Sequence, residues 1–127
     1  MSFDTDILVW ILRRHPNAIE FADSVPAGER NLSAIFRLEL LYGCRDAAER
    51  ERLDDLLANQ FTGVISVSEG VSGEAQRLME RYALLRRPGP SDVLIAATAV
   101  QRDESVATGN RKRFEFVRGL ELKVFRP

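Results

Sequence analysis

The sequence predicts an α/β fold, a three-layer α/β/α domain with a short central parallel sheet, spanning 1–127 as one domain. Three observations carry this. Short strand-type runs alternate with helical segments along the chain, the pattern that builds a parallel sheet covered on both faces. The 127 residues fall close to the prior of ~150 residues per domain, enough for one core between layers. With 45% hydrophobic and 29% charged residues, the composition is that of an ordinary globular protein rather than a disordered one.

Taken in order, "SFD" (2–4) reads as a very short strand. "DILVWIL" (6–12) suits either a buried strand or a helix apolar on all sides, and periodicity leaves both open. Pro16 favours an extended or turn conformation at His15, and "NAIEFADSV" (17–25) reads as a short helix. "RNLSAI" (30–35) is a strand that enters the helix "AIFRLELLYG" (34–43), with Gly43 as its expected C-cap. "RDAAERERLDDLLANQ" (45–60) is helical, with Leu53, Leu56 and Leu57 forming one stripe among charges. "TGVISV" (62–67) is a strand. Ser68 then opens a long amphipathic helix ended by "PGP" (88–90). "SDVLIAATAVQR" (91–102) is a helix with Ser91 as expected N-cap. "SVAT" (105–108) and "ELKVF" (121–125) are the last strands. No repeat, low-complexity segment or linker interrupts the chain.

Net charge is −1 and the isoelectric point about 5.9, so any polyanion must be held by local Lys/Arg clusters. The one cysteine, Cys44, excludes an intramolecular disulfide, fits a reducing cytoplasm and reads as a small helix-end residue. "MSFDTD" has no basic leader and its apolar run is too short for a signal peptide or membrane span. The expected setting is cytoplasmic, with no membrane partner.

Ligands of parallel sheets sit beyond the carboxyl ends of the strands, where strand order reverses. Asp4 falls at the end of the first strand, Glu39 in the helix after the second, and Asp92 in the first turn of "SDVLIAATAV"; all three are expected at one sheet edge. Plainer roles exist. Asp4 or Asp6 could cap a helix, and Asp92 could complement a helix dipole. Glu39 has Ile35, Phe36, Leu38, Leu40 and Tyr42 for neighbours, and Arg37 points elsewhere. A carboxylate there is costly unless paired, protonated or metal-bound. Oxygen donors without His or Cys favour Mg²⁺ or Mn²⁺ over zinc. Such an ion activates a water and steadies a phosphate oxygen, the chemistry of phosphodiester hydrolysis.

"FDTDILVWIL", "LSAIFRLELLYG", "SDVLIAATAV" and "VATGNRKRF", in this order and spacing, resemble the four motifs of PIN-domain ribonucleases. Within that family the chain is similar to the VapC-type toxins of bacterial and archaeal toxin–antitoxin pairs. The resemblance covers nearly the whole chain, and "GLELKVFRP" fits the usual last strand. It implies that "ILVWIL" is helix and that the fold is a PIN-like one. It implies a metal-dependent endoribonuclease, cleaving RNA phosphodiester bonds with a metal-activated water. Asp4, Glu39 and Asp92 would hold Mg²⁺, with Mn²⁺ as substitute and one ion favoured over two; Asn110 would complete the catalytic set, with Thr108 as an orienting, substrate-binding group. A VapB-like antitoxin and a second copy of the chain (a homodimer) are the expected protein partners. The helix pair 33–43 and 46–58 resembles the family's clamp for the antitoxin peptide, its leucines accepting a partner helix.

The chain departs from the family pattern at two places. Asp6 stands where Asn is common, adding an accessory carboxylate that binds through water or caps the helix. Arg113 stands before Phe114, where many relatives carry an acid or His; Asn110 supplies only a neutral oxygen, and Glu115 is the other accessory acid. Arg111, Lys112 and Arg113 directly follow Asn110 and are expected at the mouth of the pocket, holding RNA phosphates, with Arg113 on the scissile one. Single-stranded or looped RNA is the expected substrate. Arg13-Arg14 and Arg86-Arg87 read equally well as solvated surface, and His15 as part of a basic surface turn. Two other functions compete: a non-catalytic PIN-like module binding RNA or protein, for which Arg113 speaks, and a haloacid-dehalogenase-type phosphatase. "DTD" resembles the opening of the latter, whose late paired-Asp motif is absent.

Overall fold

The computed structural model describes residues 1–127. Its elements are β1 (Ser2–Phe3), α1 (Thr5–Leu12), α2 (Pro16–Asp23), β2 (Asn31–Ser33), α3 (Ala34–Gly43), α4 (Ala47–Gln60), β3 (Gly63–Ile65), α5 (Glu69–Arg86), α6 (Pro90–Gln101), β4 (Val106–Thr108) and β5 (Leu122–Val124). Single 3₁₀ turns at Ala27–Glu29 and Arg111–Arg113 complete it. All strand pairs are parallel, in the order β3-β2-β1-β4-β5. The chain steps outward through β1, β2 and β3, then returns across β1 to β4 and β5. Right-handed crossovers place the helices of these two excursions on opposite faces. The expected α/β/α layering is borne out.

The run 6–12 resolves as helix. Ile7 and Leu8 are fully buried, while Val9, Trp10, Ile11 and Leu12 pack at the core's margin. Three helices start on a side-chain cap. Ser33 Oγ accepts from Phe36 N at 3.2 Å, Asp46 Oδ1 from Glu49 N at 2.8 Å, and Ser68 Oγ from Val71 N at 3.2 Å. Each of these satisfies an otherwise orphaned first-turn N–H. α6 starts differently: Gly89 is its N-cap and Pro90 its first residue, so Ser91 lies inside the helix rather than capping it. Proline suits that position because its missing N–H would be unused there. Gly43 is likewise helical, and α3 ends at Cys44 in extended backbone instead of through a left-handed glycine.

The core joins Phe3, Ile7, Leu8, Leu32, Phe36, Ile95, Val106 and Phe114, all fully buried. Each such side chain is worth roughly 1.5–3 kcal/mol in apolar transfer. α6 is buried along most of its length through Val93, Ile95, Ala96, Ala97, Thr98 and Ala99, which explains its apolar sequence. Thr98 satisfies its hydroxyl by donating to Leu94 O at 2.8 Å. His15 departs from the expected basic surface turn. Its ring packs edge-on against Trp10 at 5.0 Å and Phe125 at 6.4 Å. No helix is long and apolar enough to cross a membrane.

Candidate active site

β1 and β4 are neighbours from which the chain leaves in opposite directions, so the sheet's order reverses between their carboxyl ends. Asp4 follows β1 and Thr108 ends β4. Asp4 occupies the N-cap position of α1 yet makes no capping bond. Its carboxylate, with the residue only 1% exposed, turns across the sheet edge instead. Oδ2 accepts from Thr108 Oγ1 at 2.6 Å, and Oδ1 accepts from Thr5 Oγ1 at 3.0 Å. The same Thr108 hydroxyl accepts from Asn110 N at 2.9 Å, so one buried threonine fixes both the acid and the loop beyond β4.

The other two acids arrive from α3 and α6, and all three meet on Arg113. Arg113 donates through Nη1 to Asp4 Oδ1 at 2.7 Å, through Nη2 to Glu39 Oε1 and Oε2 at 2.9 and 3.1 Å, and through Nε to Asp92 Oδ1 at 2.5 Å. Thr5 Oγ1 lies 3.5 Å from Nη1. Five acceptors thus face the five N–H groups a guanidinium carries. Phe36 and Phe114 lie beside the group, their ring centroids 5.6 and 5.3 Å from its central carbon. Burial works to lower the Arg113 pKa, but the Asp92 hydrogen bond, the Asp4 charge and the Glu39 hydrogen bond outweigh it and hold the group firmly cationic. Glu39 finds here the partner its own helix does not supply. Arg37 points away, 3.8 Å from Asp54.

The turn Arg111–Arg113 makes this geometry. Arg113 N donates to Asn110 O at 3.2 Å and Phe114 is fully buried, which anchors the turn from below. Arg113 therefore points inward, whereas the sequence placed its phosphate-holding group at the mouth. Arg111 and Lys112 remain exposed, with Arg111 3.7 Å from Glu115. Glu115 is thus a surface partner of Arg111, away from the three acids. Asn110 contributes main-chain bonds, and its side chain is on the exposed side.

Asp6 ties the site's edges together. Its carboxylate accepts from Ile7 N at 2.7 Å and Gly109 N at 2.9 Å. Burial first, then the neighbouring Asp4 charge, raise its pKa above the usual 3.8. A Cβ on Gly109 would stand 2.6 Å from Asp6 Oδ2, so glycine is what lets the two loops approach. Thr5 and Phe36 escaped sequence reasoning. Thr5 had a signal in the "DT" step after the first strand, whereas Phe36 looked like any core aromatic.

The donor set is all oxygen and converges on one positive charge, which fits a hard divalent ion chemically. In the conformation described, no three of these side chains are arranged to hold a metal ion. A guanidinium several ångströms wide keeps its carboxylates farther apart than ligands at ~2.1 Å from one Mg²⁺ would sit.

Fold and site define a class: an α/β/α domain with an acidic cleft at the strand carboxyl ends. The PIN domain family model matches residues 1–120, and the chain belongs to the PIN-domain family. It is similar to the tRNA(fMet)-specific endonuclease VapC of Shigella flexneri, 27% identical over 124 residues covering 94% of this chain and 93% of that protein. Among solved structures, VapBC2 from Rickettsia felis bound to a DNA fragment from its promoter superposes with a TM-score of 0.82 at 24% identity, over 98% of both chains. FitAcB from Neisseria gonorrhoeae does so with a TM-score of 0.75 at 25% identity, over 95% and 94% of the two chains.

Proposed function

We propose that this chain, acting as one domain over 1–127, is a Mg²⁺-dependent endoribonuclease and the toxin of a toxin–antitoxin pair. The observation that carries this reading is the meeting of Asp4, Glu39 and Asp92, from three separate elements, at the strand-order reversal of a PIN domain. These three side chains would hold the ion, Mn²⁺ serving as substitute. A bound ion would offset charge on a phosphate oxygen and ease loss of a proton from the water that attacks phosphorus as the P–O bond to the leaving nucleotide breaks. Thr108 keeps Asp4 aimed into the cleft, and Asn110 orients the loop at its rim. Arg111 and Lys112, exposed beside that rim, grip RNA phosphates. A cleft of this kind takes single-stranded or looped RNA, whose backbone can bend into it.

The antitoxin would lie in a groove of about 500 Å³ between α1, α3 and α4, lined among others by Val9, Leu12, Arg13, Leu40 and Arg52. Its walls mix apolar residues with Arg13, Arg45 and Arg52 against Glu39 and Glu49, which suits an amphipathic peptide. The groove also reaches Thr5 and Glu39, so a bound peptide would abut the acids. A homodimer would use exposed apolar residues such as Leu84 and Leu85. The free Cys44 suits a cytoplasmic setting.

The test is cleavage of total RNA with and without Mg²⁺, followed by end mapping. Metal-dependent cuts that fall at least ~100-fold in Asp92→Asn are expected, the scale of losing one preorganised charged group. One observation favours a second reading, a non-catalytic RNA- or protein-binding module: Arg113 sits among the acids. Metal binding without cleavage across a broad RNA pool would select it.

A further inference from the structure

The Arg113 side chain is 16% exposed, and every acceptor it uses except the Thr5 hydroxyl is a carboxylate oxygen of the cleft. Its surroundings match a planar cation in detail, with acceptors around the rim and Phe36 and Phe114 beside it. An ordinary surface arginine satisfies one acid at an edge, whereas this one joins three elements that have no other charged partner in common. The formal count is three carboxylates to one guanidinium, so the cluster retains charge for a stronger cation to claim.

We infer that Arg113 is a built-in occupant of the acidic cleft and competes with the divalent ion for Asp4, Glu39 and Asp92. The inference rests on the proposed metal-dependent function and adds to it a displacement step: the guanidinium leaves before the ion is held by all three acids. Departure needs only side-chain rotation, because Phe114 and the Asn110 main chain anchor the turn independently of Arg113's own bonds. No covalent change is involved. The chain then exists in two exchanging forms, one closed by its own arginine and one open to the ion, with the balance set by metal concentration.

Two measurements read this without relying on cleavage. In wild-type protein labelled with ¹⁵N, the Arg113 Nε–H resonance, assigned by its absence in Arg113→Lys, should be sharp without metal and vanish or shift as Mg²⁺ is added. Mn²⁺ titration followed by electron paramagnetic resonance should show Arg113→Ala binding at least ~10-fold more tightly than wild type. That factor corresponds to breaking a single charge-assisted hydrogen bond. Arg113→Gln serves if the alanine variant fails to fold, and the resonance experiment needs no altered protein in the metal-binding arm. Equal Mn²⁺ affinity in wild type and variant, or an Nε–H signal unmoved at saturating Mg²⁺, overturns the displacement while leaving metal-dependent cleavage intact. Absence of Mn²⁺ binding in all folded forms overturns the proposed metal dependence itself, and the displacement with it.

Discussion

Asp6 and Asp4 stand two positions apart and do different work. Asp4 is spent on Thr108 and Arg113, whereas Asp6 is spent on the main-chain N–H groups of Ile7 and Gly109. Sequence alone left capping and ligation open for both, because a carboxylate before an apolar helix looks the same in either role. Arg113 is the harder case. Its position next to Phe114 was readable, but the inward direction depends on a 3₁₀ turn that no local pattern marks. The raised Asp6 pKa has a sign that can be tested. Folding favours the protonated form, so the native state binds more protons and stability falls as pH rises from 3.8 through the raised folded value. Wild type should therefore lose stability relative to Asp6→Asn across that window and run parallel to it above, as read by urea denaturation at a series of pH values. Parallel curves throughout would contradict the assignment.

Among the elements, the helices were legible where their amphipathic stripe and cap lay in the sequence, as with Ser68 and the long α5. Ser68→Ala should cost about 1 kcal/mol, the usual worth of an N-cap hydroxyl, seen as a lower urea midpoint with unchanged m-value. Strands of only two or three residues were legible less by pattern than by what lay between them. The two misplaced boundaries have one physical cause. Helix ends are decided by backbone geometry over a few residues, and Ser91 and Gly43 each carry the right chemistry one or two positions inside the true end. The run 6–12 was undecidable by periodicity because α1 is packed on most sides, and the family resemblance was what pointed to helix.

For the whole molecule, a net charge of −1 means that the proposed RNA binding would rest on a few cations around one cleft. Binding of a single-stranded RNA should therefore show a shallow salt dependence, and Lys112→Gln should reduce the slope of log K against log salt by about 0.7, one phosphate contact on a single strand. An unchanged slope would remove Lys112 from the RNA path. The middle strand β1 is built from residues 2 and 3, yet one flanking strand is supplied by residues 106–108. Asp4 waits for a hydroxyl 104 positions later and a guanidinium 109 positions later. A chain still emerging from the ribosome thus carries Asp4 and Glu39 long before Asp92 and the strand that aligns them, and contacts so distant in sequence form late. The acidic cleft is therefore not assembled until synthesis is nearly over.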